Sequence, residues 1–250
     1  MFLRWTICIY FAALIIGCRK QPSPTGHPTP IPLPKPIATL QPSPTPFLAL
    51  PSTPRLTKAG EDLIIEFEVG GPSEYDPKPE WPQGASGVTI GVGYDLGYNS
   101  RTNILSDWVA LGNSATLRFA NLSGITGTRA RDRLSTVRDI LVKWQIALGV
   151  FNEVDVARTY GLCQRTFSRF EELRPNAQAS LISLIFNRGN GMSGPNRTEM
   201  RAIRDVAPNK DYAEMASQLR KMKRIWVGTS IYKGMARRRE AEAVLMETPR

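Results

Sequence analysis

Proline is concentrated in one segment, residues 19–55, and this segment limits what the rest of the chain can fold into. It holds 12 of the 20 prolines and no acidic residue. Proline has no backbone N–H and cannot sit inside a helix or a central strand, so the segment predicts a disordered spacer with polyproline II character. Fully extended, it would span on the order of 100 Å. A passive linker of no particular length explains the composition equally well.

A short apolar run precedes the spacer. One positive charge at Arg4 is followed by apolar residues from position 5 to 16, and the run ends at Cys18. About a dozen apolar residues are few for a membrane-spanning helix and suit the apolar region of a secretion signal. The residues before Cys18 resemble the lipobox of bacterial lipoproteins. The resemblance implies that residues 1–18 are a signal peptide, that Cys18 is acylated, and that the protein is exported and anchored to a membrane, facing the periplasm or cell wall. An uncleaved signal anchor is the alternative.

The remaining residues, 56–250, are predicted to form one folded domain. A chain of about 195 residues is in the usual size range and can bury a core without disulfides. Cys163 is the one cysteine in this range, and we expect it to be a buried free thiol. All 22 acidic residues and all but five of the 32 Lys and Arg lie here, which gives the domain a net charge of +5. A mildly basic surface suits an anionic polymer, and export favours the bacterial wall over nucleic acid.

Most of the domain after residue 100 shows helical periodicity. Apolar residues recur at intervals of three or four, which predicts helices, in residues 137–144, 154–161, 212–222 and 235–246. The segment from Pro175 to Asn187 carries little charge on any face. This composition predicts a buried central helix, which Gly189 would end.

A helix is also predicted at the start of the domain, and it ends in a carboxylate. Thr57 is a suitable N-cap residue, and Gly70-Gly71 would stop the helix. Glu68 lies at the edge of the apolar stripe, in the last turn. The negative end of the helix dipole and apolar neighbours both favour a protonated carboxyl, which is the form a general acid needs. Taken alone, the same pattern describes a surface glutamate.

A strand is predicted over residues 88–92. Val88, Ile90 and Val92 alternate with Thr89 and glycines, a period of two with one apolar face. The opposite face is almost bare, and glycine in a strand often marks the close approach of a ligand or of another backbone. The Thr89 hydroxyl could hold a water molecule on that face. Tight packing against a helix is the alternative explanation.

These motifs resemble the phage-type lysozymes of glycoside hydrolase family 24. Phe67-Glu68, then Tyr75, then Thr89-Ile90-Gly91-Val92-Gly93 are similar to the glutamate and threonine motif of that family. The similarity continues in order through residues 178–189, Trp226 and the segment from Gly234 to Glu242, which includes three consecutive arginines. It covers most of residues 56–250.

The resemblance implies a role for several side chains. Glu68 would be the general acid, Thr89 would help to hold the attacking water, and Arg238 would lie behind Glu68 and fix its orientation. Asn187, at the end of the central helix, would contact substrate.

The aromatic side chains near the expected cleft are a separate prediction from the residues themselves. Tyr75, Trp81, Tyr94 and Tyr98 could stack on sugar rings. Alternatively, Trp81 and Tyr94 anchor the loop and the sheet.

The second carboxylate is the point at which this chain departs from the family. The family commonly has an aspartate two residues after the tyrosine, where Pro77 stands here. An inverting glycosidase needs a second carboxylate roughly 6.5–9.5 Å from the acid. Asp76 is our first choice and Asp95 the second. Asp95 could instead bond the backbone of the following turn.

The number of histidines limits the catalytic mechanisms that the domain can use. The only histidine, His27, lies in the spacer, which argues against Ser-His-Asp or Cys-His catalysis and against zinc sites of the usual histidine-bearing type in the domain. Catalysis by Asp and Glu carboxyl groups is the remaining mechanism, and the sequence implies no cofactor or metal.

The sequence therefore predicts an α+β, mainly helical, lysozyme-like domain with two lobes and a small antiparallel sheet. The expected function is that of a monomeric muramidase that hydrolyses the aminosugar backbone of peptidoglycan, with an antimicrobial use possible. Two alternatives are a wall-binding lipoprotein without turnover and a lysis protein of the phage or bacteriocin type.

Overall fold

The computed structural model describes residues 56–249, and all structural statements concern this range. The leader, Cys18 and the spacer lie outside it. Ten α-helices and one small sheet make up the described chain. The helices are α1 (Lys58–Val69), α2 (Arg101–Asp107), α3 (Asn113–Ala120), α4 (Thr128–Arg133), α5 (Trp144–Val150), α6 (Val156–Thr166), α7 (Pro175–Arg188), α8 (Thr198–Val206), α9 (Tyr212–Lys221) and α10 (Tyr232–Glu247). The strands are β1 (Thr89–Ile90) and β2 (Tyr94–Asp95).

Short 3-10 segments connect several of these elements. They are Leu96–Tyr98, Val109–Leu111, Leu134–Thr136, Phe170–Glu172, Pro195–Arg197, Ala207–Asn209 and Met222–Trp226. The predicted fold class, mainly helical α+β with a small antiparallel sheet, is confirmed.

Local signals in the sequence set the ends of two helices that position the site. The Thr57 side chain accepts a hydrogen bond from the Gly60 N–H at 3.2 Å at the start of α1. Gly70 ends α1 in the left-handed conformation, with φ of 77°. Pro175 occupies the first turn of α7, where its missing N–H costs nothing. These caps confirm the predicted starts of both helices and the predicted end of α1.

The sheet is smaller than the sequence predicted. β1 and β2 pair antiparallel, with Thr89 opposite Asp95 and Ile90 opposite Tyr94. The predicted continuous strand over residues 88–92 is wrong, because the chain turns back after Ile90. Gly93, which has φ of 78°, lies in that turn. The alternation of apolar residues and glycine in this segment therefore belongs to a hairpin and not to one strand.

Helix α7 forms the centre of the domain, as predicted. It packs against α1, α6 and α10, and most of its residues are buried. One continuous apolar cluster includes residues of α1, the hairpin, α7 and α10. Cys163 lies in this cluster as a free thiol, which confirms that prediction. Within residues 56–249 no helix is both long and apolar enough to cross a membrane.

The helix predicted over residues 137–144 is wrong for all but its last residue. Residues 137–143 are irregular, and α5 begins at Trp144. Val137 and Ile140 are buried, but Leu141 is 54% exposed. The Val142 N–H donates to the Pro77 carbonyl at 2.8 Å, so this backbone bonds to a distant loop instead of to its own helix.

A π-helical turn, Phe151–Asp155, joins α5 to α6. Such turns are rare and occur frequently at functional sites. Here the turn ends in Asp155, directly before the first residue of α6.

Candidate functional site

A cavity of about 550 Å³ lies between the hairpin and α6. Glu68 of α1 and the hairpin residues Thr89, Gly93 and Asp95 line one side. The volume is within the range of small-molecule and cofactor sites.

Two further elements complete the cavity. Seven residues between Asp155 and Arg165 also line the cavity, and Ile185 and Phe186 of α7 contribute apolar surface. The cavity thus combines apolar contact area with carboxyl, hydroxyl and guanidinium groups.

Glu68 occupies the last turn of α1 and is buried. Its side chain is only 2% exposed, because the apolar stripe of α1 packs on α7 and carries Glu68 inward with it. The Arg238 Nη1 donates to Glu68 Oε1 at 2.6 Å. This ion pair identifies Glu68 as an interior residue and rules out the surface alternative.

The hairpin closely approaches the same carboxyl group. A Cβ atom at Gly93 would lie 3.3 Å from Glu68 Oε2 and 3.6 Å from Phe186 Cε1. A larger residue would therefore press on Glu68, and the positive φ of Gly93 would add strain. This is the close approach that a glycine in this motif predicts.

Thr89 and Asp95 lie side by side on the hairpin. They are directly opposite in the antiparallel register, so their side chains share one face. Both line the cavity. The hairpin thus presents a hydroxyl and a carboxyl together.

The Asp95 carboxyl also holds the backbone around it. Its Oδ2 accepts from the Gly87 N–H at 2.9 Å and its Oδ1 from the Gly97 N–H at 2.8 Å. Burial raises the pKa of Asp95 above its ordinary value, against the opposing effect of these backbone donors. Asp95 therefore bonds the backbone of the following turn, as the alternative predicted, and it also lines the cavity.

A buried charge network lies behind Glu68. Arg238 donates from Nε to Glu242 Oε1 at 3.3 Å and from Nη2 to the Ser183 hydroxyl at 3.3 Å. Arg239 donates to the same Glu242 oxygen at 2.7 Å. Arg238, Arg239 and Glu242 are 0% exposed. Two arginines thus balance two glutamates, and the guanidinium of Arg238 is fixed from several directions.

A second polar cluster lies at the α6 side. Asp107 accepts from the Tyr94 hydroxyl at 2.7 Å and forms an ion pair with Arg158 at 2.7 Å. Asp155 is close to both Asp107 and Arg158, but burial is the main influence on it and raises its pKa to about 8, with Arg158 opposing and Asp107 adding to the rise. Burial likewise raises the pKa of the Tyr94 hydroxyl.

The structure brings some of the predicted site residues together. Glu68, Thr89, Asp95 and Tyr94 line the cavity, and Arg238 contacts Glu68 from behind.

Other predicted site residues lie elsewhere. Asp76 is exposed and is not part of the cavity lining. Tyr75 donates to the Val142 carbonyl at 2.8 Å, and the Trp81 Nε1–H donates to the Ser86 carbonyl at 3.2 Å. Asn187 is buried, where its Oδ1 accepts from Arg239 at 3.1 Å. The side chains of Tyr75 and Trp81 thus bond backbone carbonyls of the loops beside them.

Sequence reasoning missed the α6 side of the cavity. Asp155, Arg158, Thr159 and Leu162 are spaced by three, one and three residues, which places them on one helical face. The apolar stripe through residues 154–161 predicts the helix but gives no sign of this polar face. At α7, Ile185 and Phe186 line the cavity, and the predicted Asn187 does not.

The family model described as a domain of unknown function, DUF8812, matches residues 66–229. The chain belongs to this family. All residues that line the cavity fall within the DUF8812 match, whereas the arginines of α10 lie beyond it.

Two other comparisons accompany the DUF8812 match. No curated protein matches the chain. Among solved structures, the chain is similar to the active form of the endolysin Lyz of phage P1. The sequence identity is 18%, the TM-score is 0.46, and the similarity covers 77% of this chain and 84% of that chain.

Proposed function

We propose that the domain is a peptidoglycan hydrolase of the muramidase type, with Glu68 as its general acid. One observation carries this proposal. A carboxyl that is 2% exposed and ion-paired from behind at 2.6 Å faces a cavity of about 550 Å³. Burial of a carboxyl is costly unless the group is paired, so the arrangement suits a positioned chemical group better than a chance surface residue.

The proposed reaction adds one water across a glycosidic bond. Glu68 donates its proton to the glycosidic oxygen as the bond from that oxygen to the anomeric carbon breaks. A water held by Thr89 forms the new bond to the anomeric carbon, and its proton passes to a second carboxylate. Asp95 is our choice for that carboxylate, because it lines the cavity beside Thr89. Asp76 is the weaker choice.

The ion pairs and hydrogen bonds behind Glu68 suit a side chain that loses and regains a proton during the reaction. Arg238 is also held by Glu242 and Ser183. The guanidinium therefore stays in place whether or not the Glu68 carboxyl carries a proton. It fixes the direction in which Glu68 meets substrate.

Binding of peptidoglycan without turnover is a second candidate function. Backbone N–H groups already occupy both oxygens of Asp95, and Asp76 lies away from the cavity lining. A hairpin without an available second carboxylate would bind a glycan and leave it intact.

The proposed location follows from the leader and the spacer. We propose an exported lipoprotein anchored through Cys18, with the spacer between membrane and domain. Cys18→Ser is expected to release the protein from the membrane fraction. Unchanged association would point to a signal anchor.

The activity is tested with the full-length protein and purified peptidoglycan. Glu68→Gln is expected to lower the release of reducing sugar by about 10²- to 10⁴-fold, the usual contribution of a general acid. Glu66→Gln is the matched control, because Glu66 is on the same helix and forms a surface ion pair with Arg237 at 3.4 Å.

Two outcomes separate the candidate functions. If Glu68→Gln releases sugar at the rate of the unmodified protein, the proposed mechanism is wrong. If the unmodified protein binds peptidoglycan but releases none, the binding function stands. A large loss in Asp95→Asn, with little change in Asp76→Asn, would assign the second carboxylate.

A further inference from the structure

Positive charge is concentrated in one segment that has no role in the reaction proposed above. Residues 112–143 contain six basic and two acidic residues, a net charge of +4, whereas residues 56–250 together carry +5. No residue of this segment lines the cavity. Most of the net charge of the domain therefore lies outside the candidate site. The basic residues are Arg118, Arg129, Arg131, Arg133, Arg138 and Lys143.

The two carboxylates of the segment are bound to two of its arginines. Asp139 forms an ion pair with Arg118 at 2.5 Å, and Asp132 forms one with Arg131 at 2.9 Å. These pairs carry no net charge. The other four basic side chains form no ion pair and no hydrogen bond within residues 56–249, so the net charge of the segment comes from them.

Three of the four unpaired side chains belong to α4 and to the turn that follows it. Arg129 and Arg133 are one helical turn apart, which places them side by side on α4. The Val137 N–H donates to the Leu134 carbonyl at 3.1 Å, so the chain turns directly after α4 and keeps Arg138 close to the end of the helix. All three arginines are exposed. We call Arg129, Arg133 and Arg138 the α4 patch.

The α4 patch is unfavourable for its own helix. Arg129 and Arg133 repel each other, because like charges one turn apart destabilise a helix. Arg133 is in the last turn, where the helix dipole favours a cation, but Arg129 is in the first turn, where the dipole opposes one. The first turn of α4 also contains no acidic residue. A bound anion would relieve both the repulsion and the unfavourable position of Arg129.

The guanidinium groups indicate the chemistry of the partner. Arginine presents a planar fork of donors that matches the oxygens of a phosphate, and it stays charged at any physiological pH. Three exposed forks at neighbouring positions suit a ligand that repeats its negative charge. A polymer of phosphodiesters has this property, because each of its repeats carries one phosphate.

The residues around the patch argue against two other anionic partners. Sites for single-stranded nucleic acid stack the bases on aromatic side chains, but the only aromatic residue of 112–143 is Phe119, which is 0% exposed. An anionic membrane surface takes up apolar side chains beside the charges. The exposed large apolar residues of the segment, Leu117 and Leu141, both lie outside α4. A phosphodiester polymer that carries no bases is therefore the favoured partner.

We propose that the α4 patch binds a linear phosphodiester polymer that carries no bases. Arg129, Arg133 and Arg138 each contact a phosphate, and binding weakens with salt because counter-ions leave the polymer when the protein binds. This interaction does not rest on the proposed hydrolysis, because the patch shares no residue with the cavity lining. It would hold the domain against an anionic polymer of the wall while the cavity remains free.

The test uses the full-length protein and fluorescently labelled poly(glycerol phosphate). Anisotropy gives Kd at several salt concentrations between about 0.05 and 0.3 M, and the slope of log Kd against log salt reports the number of phosphate contacts. The patch variant combines Arg129→Ser, Arg133→Ser and Arg138→Ser. We expect it to raise Kd at least about tenfold at the lowest salt concentration and to lower the slope by about 2, since each contact with a single strand contributes about 0.7.

A control variant changes the net charge by the same amount elsewhere on the surface. It combines Lys58→Ser, Arg204→Ser and Lys221→Ser, each of which removes the cation of a surface ion pair. We expect its Kd and slope to stay close to those of the parent. An equal loss of affinity in the two variants would mean that binding follows net charge alone and would overturn the α4 patch.

Two further probes decide the class of partner. Single-stranded DNA with the same number of phosphates tests for a role of the bases, and vesicles with phosphatidylglycerol test for a membrane surface, with phosphatidylcholine vesicles as the reference. If the patch variant lost more affinity for DNA or for the anionic vesicles than for poly(glycerol phosphate), the partner would be a nucleic acid or a membrane and the proposal would be wrong. Equal or smaller losses support recognition through the phosphates of a polymer.

The decisive comparison is that between the parent and the patch variant with poly(glycerol phosphate). Unchanged Kd and slope would overturn the inference, even if the protein hydrolyses peptidoglycan. A selective loss in the patch variant would support it, even if no hydrolysis occurs.

Discussion

Two of the carboxyl groups that line the cavity, those of Glu68 and Asp155, differ in their surroundings. Glu68 is enclosed by α1, α7 and α10, and the guanidinium of Arg238 contacts it at 2.6 Å. Asp155 is close to a guanidinium as well, but Arg158 is bound to Asp107. Removal from water raises the energy of an ionised carboxylate, and a committed counter-ion offsets part of this cost. The two groups therefore differ in whether the nearby guanidinium is bound to the carboxyl itself or to another side chain.

The largest expected effect is at the Glu68 end. Arg238→Met removes the guanidinium and leaves Glu68 without a partner while Glu242 loses one of its two arginines. Breaking a buried ion pair in this way costs about 3–5 kcal/mol. We expect that loss in the free energy of unfolding measured with urea at pH 7.

A double variant gives the control for this prediction. Glu68→Gln with Arg238→Met removes one of the stranded charges and should recover part of the loss. Arg204→Met, which breaks an exposed pair with Asp205, should have little effect. A loss in Arg238→Met no larger than that of Arg204→Met would show that the Glu68 end does not depend on its counter-ion.

At Asp155, replacing the carboxyl is expected to stabilise the protein, whereas replacing Arg238 destabilises it. The folded pKa of about 8 is above the ordinary value of 3.8, so the folded state binds the proton more tightly. Stability therefore falls as pH rises from about 4 to about 8 and is constant above that. Asp155→Asn removes this dependence and should stabilise the protein at pH 8 by on the order of 2 kcal/mol, because solvent in the cavity reduces the full effect.

The measurement is a series of urea titrations of the parent and of Asp155→Asn between pH 4 and pH 9. The two proteins should be equally stable near pH 4 and diverge as pH rises. Asp107, Arg158 and Tyr94 also face Asp155, but they are the same in both proteins. Parallel curves for the two proteins would contradict the expected protonation of Asp155.

The smallest expected effect concerns the bond between the hairpin and α2. Tyr94→Phe removes one donor to Asp107 while Arg158 remains, so the loss should be about 1 kcal/mol. A double-mutant cycle with Asp107→Asn isolates this bond. No coupling between the two positions would mean that Arg158 alone holds Asp107.

Signals within a few residues of each other were enough to predict parts of the fold. Thr57 and Gly70 delimit α1, and Pro175 opens α7, because capping depends on hydrogen bonds to nearby backbone groups. The irregular chain at Val137 and Ile140 was not predictable in this way. Its apolar spacing is that of a helix, but the Val142 N–H donates to the carbonyl of Pro77, a remote residue.

The residues of the candidate site also differ in whether a local sequence signal predicts them. Glu68 and Thr89 stood out because each follows or precedes glycines in a short motif. Asp155 did not, because its surroundings depend on burial and on Asp107, a residue distant in sequence that binds Arg158. Asn187 and Phe186 are adjacent, and only the rotation of α7 decides which of them reaches the cavity.

The π-helical turn at Phe151–Asp155 has a consequence for helical phase. A π turn contains one residue more than an α turn, so it rotates α6 by about 100° relative to a straight continuation of α5. Deletion of one residue, such as Glu153, would let residues 144–166 form an uninterrupted α-helix. Either α5 or α6 would then present a different face to its neighbours. The one extra residue in the π turn thus determines which side chains of α6 line the cavity.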